Sequence, residues 1–189
     1  MASLKVQFRA AAVLRGAFIL QVLGMILNNI ALTSAWFFFF ERFGSVNGWD
    51  FPHFVGTQGV GMLVYGLVVF GSSGIMDTPR HVDTGSMDGF LAKPTSVLAQ
   101  LCSSKMDVTT LGDMIIGLAA TVWYLFYVDL SLAAFALFVI SVAVSVVIFL
   151  CFVMLLPNVL AFYVFDADRL SRYVGTAFMD GTIYPGGLF

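Results

Sequence analysis

The sequence predicts an all-α fold, namely a polytopic membrane helix bundle with four transmembrane helices. Of the 189 residues, 60% are apolar and only 11% are charged, whereas a soluble domain carries about 25% charged residues. The charges are also unevenly distributed, so that long charge-free runs separate them. This composition excludes a disordered chain, a coiled coil and an ordinary cytosolic enzyme. The net charge of −2 gives no indication of nucleic-acid binding.

The charge-free runs predict spans at about residues 17–40, 54–76, 108–128 and 131–156. At about 1.5 Å per residue, helices of these lengths cross a hydrocarbon core of roughly 30 Å. The strands of a membrane β-barrel are far shorter than these runs and alternate in polarity, so the runs predict helices and not barrel strands. The last run continues to Phe165, too far for one straight crossing, so we expect its helix to bend or end at Pro157.

The number of lysine and arginine residues alternates between high and low in the successive segments that flank the spans. The N-terminal segment contains three, the 41–53 loop one, the 77–107 loop three, the turn at Asp129 none and the tail two. The positive-inside rule therefore predicts a cytoplasmic N-terminus, a cytoplasmic 77–107 loop and a cytoplasmic tail. Interfacial aromatic residues fall at the opposite ends of the spans, as expected: Trp36, Trp49, Trp123, Tyr124 and Tyr127.

Polar side chains within the spans are the candidates for a transport pathway. Asn28 and Asn29 lie in the first span, and Gln58 and Tyr65 lie in the glycine-rich second span. Because an unpaired amide is costly in hydrocarbon, these residues either form hydrogen bonds between packed helices, which is the more common role, or line a pathway. Asp113 in the third span is either a coupling-ion carboxylate or, as we favour, an interfacial residue near a positive helix start.

No motif predicts chemistry performed by the chain itself. The sequence lacks G-x-x-x-x-G-K-[ST], so it contains no recognisable nucleotide site. His53 and His81 are isolated, and Asp166 and Asp168 lack the companion carboxylates of a magnesium–diphosphate site. Apolar residues after Asp168 recur at helical spacing, which predicts an amphipathic interfacial helix at about 167–180. We therefore expect no enzyme activity and no cofactor or metal site.

Several segments together resemble the permeases of bacterial type-2 ATP-binding-cassette (ABC) transporters, in a poorly characterised transport system. They are the stretches 40–49, 85–94 and 111–117 and the pair Tyr184-Pro185. The most specific is the pattern G-x-[LM]-D-x-[FL]-L-x-[KR]-P. Its matching residues are Gly85, Met87, Asp88, Phe90, Leu91, Lys93 and Pro94.

The resemblance implies a permease subunit, in an exporter of the bacterial inner membrane, that pairs with a like or related permease. It also implies separate ABC ATPase subunits that bind the ATP and contact the 85–105 segment. Such permeases have six spans and continue after the Tyr-Pro pair, so we expect a C-terminally truncated chain here. The alternative interpretation is a small four-span membrane protein with a structural or interaction role and no transport activity.

Overall fold

The computed structural model describes residues 15–129 and 131–163 and the positions 169, 173, 174, 176 and 177. Within these residues there is no β-strand, and Val46 and Trp49 form one isolated antiparallel bridge. The prediction of an all-α membrane helix bundle with four candidate spans is confirmed. The helical stretches long and apolar enough to cross a membrane are Gly16–Phe43, Phe51–Asp83, Thr110–Val128 and Leu132–Val159.

The described helices follow one another with short connections. The two helices of the first hairpin are α1 (Arg15–Phe43) and α2 (Phe51–Ser72), and α2 continues as a 3₁₀ turn, Ser73–Asp77. Three short helices then form the 77–107 segment, and two long ones complete the bundle. These are α3 (Thr78–Asp83), α4 (Asp88–Leu91), α5 (Val97–Ser104), α6 (Thr110–Val128) and α7 (Leu132–Ile148), after which come a π-helical stretch (Phe149–Leu155), α8 (Leu156–Val159) and a 3₁₀ turn (Leu160–Phe162).

Helix α2 is the central element, and its glycines bring it close to α6. A Cβ added at Gly56 would lie 2.4 Å from the Tyr124 ring, and one at Gly66 would lie 2.4 Å from Met114 Cγ. The contact is reciprocal, because a Cβ at Gly117 of α6 would lie 2.7 Å from the backbone nitrogen of Leu63. Small residues commonly allow membrane helices to approach closely in this way.

The other face of α2 packs against the fourth span. Val64, Val68 and Val69 form a buried cluster with Phe149 and Met154. This cluster joins the second span to the π-helical stretch of the fourth, so α2 is covered on two sides. Helix α1, by contrast, contributes two buried side chains, Asn29 and Phe40.

Aromatic residues gather at the end of the bundle opposite the 77–107 segment. Phe40 and Phe54 are buried there together, and the Trp36 and Phe54 rings lie 4.5 Å apart. The loop between α1 and α2 turns at Asn47 and Gly48, which have φ values of +50° and +82°, as in the tight turn that Asn-Gly favours. The Asp50 side chain then caps α2 by accepting a hydrogen bond from the His53 backbone nitrogen.

The fourth span does not end at Pro157 but continues to Val159, and its regular α-helix is interrupted just before the proline, where a disturbance was expected. The π-helical stretch precedes the proline, and the Leu156 N–H bonds the Cys151 carbonyl five residues back. Proline has no N–H and its ring disturbs the preceding α-helical turn, so the wider turn accommodates it. Asn158 Nδ2 donates to the Met154 carbonyl at 2.6 Å and thereby satisfies an acceptor in this irregular region.

The predicted interfacial helix at 167–180 lies largely outside the described residues. Positions 169, 173, 174, 176 and 177 are helical, and the remainder of that prediction is not described.

Candidate functional site

The 77–107 segment folds back against the end of α2 and forms a small apolar core of its own. Ile75, Met87 and Leu101 are buried together, and Phe90, Val97 and Leu155 pack around them. The three buried residues come from the 3₁₀ turn after α2, the start of α4 and helix α5. The sequence analysis described 77–107 as a loop between spans, and the structure shows that this loop has an apolar core of its own.

The seven residues of the family pattern divide between the inside and the outside of this unit. Met87 is buried in the apolar core, and Phe90 is half-buried. Gly85 adopts a φ of +68°, a conformation that glycine accepts without strain, and so turns the chain into α4. The remaining residues of the pattern are exposed: Asp88, Leu91, Lys93 and Pro94.

Hydrogen bonds and ring contacts hold α4 and α5 in place. Gln100 of α5 donates from Nε2 to the carbonyls of Phe90 and Thr95, both at 3.0 Å. The Phe90 ring lies 4.9 Å from the His81 ring, and Lys93 Nζ lies 5.6 Å from the Phe90 ring centroid. The exposed residues of the pattern are therefore displayed on an ordered surface.

Three contacts fasten this unit to the end of α2. Gly74 approaches α5 so closely that an added Cβ would lie 2.0 Å from the Leu101 carbonyl oxygen. Ser73 Oγ donates to the Lys105 carbonyl at 3.0 Å, and Lys105 Nζ lies 3.1 Å from Asp77 Oδ2. These contacts attach α5 and Lys105 directly to the chain that continues from α2.

The outward face of the unit combines apolar and charged side chains. Leu91 is 62% exposed and Leu98 is 45% exposed, and the exposed Asp88 and Lys93 stand near them in the chain. We call these four residues the outer face. Apolar side chains beside charged ones give this face both kinds of group that a protein partner can contact.

The polar residues of the spans form a second candidate site, inside the bundle. Asn29 of α1 is buried, and its Nδ2 donates to Asp113 Oδ1 of α6 at 2.6 Å. One turn further along α1, Thr33 Oγ1 lies 3.3 Å from Oε1 of the buried Gln58 of α2. These residues connect three helices and form what we call the polar strip: Asn29, Thr33, Gln58 and Asp113.

The structure separates the other two pathway candidates from the polar strip. Asn28 lies on the exposed side of α1. Tyr65 is half-buried, and its ring lies 5.9 Å from that of Phe149 in the fourth span. Asp113, for which we favoured an interfacial position near a positive helix start, has its side chain buried against α1. It does lie in the first turn of α6, and neither composition nor spacing revealed the asparagine partner.

The described residues contain no group of three histidine, cysteine, aspartate or glutamate side chains that could hold a metal ion. Cys102 is half-buried in α5, and burial raises the pKa of its thiol. At the far end, burial acts to raise the pKa of Asp50, but hydrogen bonds from the His53 backbone and ring outweigh it and lower that pKa.

Comparison with known proteins identifies the family. The family model described as ABC-2 family transporter protein matches residues 23–189, which is nearly the whole chain. Comparison with curated proteins and with solved structures gave no match. The matched range includes all four candidate spans and the 77–107 segment, apart from the first residues of α1. The chain therefore belongs to the ABC-2 transporter family and is a multi-pass membrane permease component of an ABC transporter.

Proposed function

We propose that the outer face of the 77–107 segment is the surface on which an ABC ATPase subunit acts. The observation that carries this proposal is the two-sided construction of the segment. The outer face displays Leu91 and Leu98, while the inner face is fastened to α2 through Gly74 and Lys105. A surface that is free on one side and fastened to a span on the other suits the transfer of motion from a soluble partner to the bundle.

The partner supplies the energy, because the chain has no nucleotide-binding motif. ATP binds to the ATPase subunits, whose movement displaces the 85–105 segment. The Ile75–Met87–Leu101 core and the Asp77–Lys105 ion pair pass that displacement to α2. The permease contributes no catalytic group; it contributes a helix bundle with two arrangements that expose the pathway to opposite sides.

A second permease subunit, either identical or related, covers the exposed side of α1. Asn28 supports this proposal, because it is exposed although it lies far from both ends of a 29-residue helix. A polar side chain that faces lipid at mid-span is unfavourable, and a neighbouring subunit or a polar pathway would satisfy it. In this arrangement Asn29 and Gln58 serve helix packing within the chain, and Asn28 lies closest to the cargo.

The orientation and the direction of transport complete the proposal. The lysine and arginine counts support a cytoplasmic N-terminus and a cytoplasmic 77–107 segment, on the side of the membrane where ATPase subunits reside. The resemblance to type-2 permeases supports export across a bacterial inner membrane.

Photo-crosslinking tests the ATPase contact. A photoreactive amino acid at Leu91 or Leu98 is expected to crosslink to an ABC ATPase in native membranes. The matched control is Leu132, which is 85% exposed but lies at the opposite end of the bundle. Crosslinks from Leu132 and none from the outer face would refute the proposal. If no position crosslinks to an ATPase, the interpretation as a four-span structural or interaction protein gains support.

A further inference from the structure

Asp113 is a buried acid that has no cationic partner in the part of the chain that the structure describes. It is 3% exposed, Asn29 donates to its Oδ1, and its Oδ2 has no hydrogen-bond partner. Among the residues that the structure describes, the ion pairs are His53–Asp50 and Lys105–Asp77, so Asp113 belongs to neither. Asp113 is therefore an acid with one satisfied oxygen and one enclosed, unsatisfied oxygen.

An ionised carboxylate is costly in such surroundings, because burial removes water and no cationic side chain among the described residues pairs with it. The start of α6 and the Asn29 amide offset part of this cost. A metal cation would need several oxygen ligands, and no metal-binding group occurs within the described ranges. A proton requires one oxygen alone. We propose that Asp113 and Asn29 form a proton-binding site, in which the proton resides on Asp113 Oδ2 while the Asn29 amide holds Oδ1.

The position of this site gives the proton a structural role. Asn29 and Phe40 are the two buried side chains of α1 among the described residues, so the Asn29–Asp113 contact fastens the middle of α1 to α6. Gly112 extends the contact, since an added Cβ there would lie 2.8 Å from Met25 Cβ and 3.0 Å from the Val22 carbonyl. When Asp113 releases its proton, the resulting charge requires water, and water reaches Oδ2 only if the two helices separate. Proton uptake therefore accompanies closure of this contact.

Two titratable groups lie near this site. Asp107, just before α6, and Tyr65 of α2 are close enough to interact electrostatically with Asp113. The groups that helix α1 presents here, Asn29 and Thr33, are uncharged, and the Thr33 hydroxyl donates to the Asn29 carbonyl at 2.9 Å. The Asp107 carboxylate accepts hydrogen bonds from the backbone nitrogen and hydroxyl of Thr109, and its charge opposes a second negative charge at Asp113.

Infrared spectroscopy of the full chain in lipid nanodiscs tests the proposal without any ATPase. At a pH of about 7, carboxyl groups in water are ionised, so a protonated-carboxyl carbonyl band that shifts in deuterated buffer reports an enclosed acid. We expect this band in the wild type, its loss in D113N and its retention in the matched control D83N, since Asp83 is exposed and lies outside the site. Circular dichroism establishes that both variants are folded.

Two results would overturn the proposal: a folded wild type without the band, or a band that persists in D113N. If D113N does not fold, carbon-13 labelling of the aspartate carboxyl groups in the wild type gives a second measurement. Nuclear magnetic resonance then shows either one aspartate that stays protonated at a pH of about 7 or none, and the second outcome refutes the site. Because the ATPase is not present, failure here is distinct from failure of the proposed transport coupling.

Discussion

Replacement of Gly74 by alanine probes the attachment of the 77–107 segment to α2. The added Cβ would lie 2.0 Å from the Leu101 carbonyl oxygen and 2.3 Å from Ser104 Oγ. An ordinary contact begins at 3.4 Å, so α5 must move by about 1.4 Å in a close-packed region. That movement disturbs the burial of Leu101 beside Met87. Overpacking of this kind costs about 1–3 kcal/mol of the free energy of unfolding.

Gly71 provides the matched control, because a Cβ added there has nothing within 4 Å. Neither glycine has a positive φ, so alanine is conformationally allowed at both positions. In a helix, alanine is more stable than glycine by up to about 1 kcal/mol, and G71A is expected to show no loss of stability. Reversible unfolding in mixed detergent micelles, followed by circular dichroism, measures both variants. Equal stabilities of G74A and G71A would refute the close approach of α5 to the end of α2.

Three further predictions use the same chain. N29L leaves the partner carboxyl group without its donor and should cost about 1–3 kcal/mol of unfolding free energy, whereas N28L, on the exposed side of α1, should cost little; equal losses in mixed micelles would contradict the buried hydrogen bond. Because the pKa of Asp50 is lowered in the folded protein, its carboxylate stabilises the fold fully at pH values above the ordinary carboxyl pKa, and this stabilisation is lost as the pH falls through the lowered pKa. Acid should therefore destabilise the wild type more than D50N. An identical acid response of the two proteins would argue against this cap. If the predicted orientation is correct, a membrane-impermeant maleimide should label N47C but not S86C in intact cells. The reverse labelling pattern would show that the orientation is the opposite of the predicted one.

The spans could be predicted because their signal is compositional. Leu132, for example, is 85% exposed, and an exposed leucine is favourable in lipid but unfavourable in water. A long run of such apolar residues therefore identifies a membrane helix without any knowledge of packing. The same holds for the interfacial aromatic residues, which do gather at one end of the bundle. These properties depend on the solvent around the chain and not on which helix faces which.

Helix rotation and local irregularity could not be predicted in this way. Asn28 and Asn29 are adjacent in the sequence, yet one is exposed and the other is buried, because about 100° of rotation separates consecutive helical residues. The burial of Asp113 follows from the pairing of α1 with α6, to which no local pattern refers. Pro157 indicated a disturbance but not its form, since a proline ends, kinks or widens a helix according to the surrounding packing.

The distribution of buried contacts determines which parts of the bundle respond together when the 77–107 segment is displaced. Helices α2 and α6 touch along a series of glycines where even one added carbon atom would collide, so relative movement between them is strongly resisted. Leu150 packs against both the Val64 cluster and the Ile75 cluster, and it thereby ties the fourth span to the same body. Helix α1 is held by two buried side chains, one of which is the polar Asn29. Parts of a protein with few buried apolar contacts separate at a low free-energy cost. We therefore expect α2, α6 and the fourth span to move together when α5 is displaced, and we expect the α1–α6 contact, which includes Asn29–Asp113, to separate before the α2–α6 contact does.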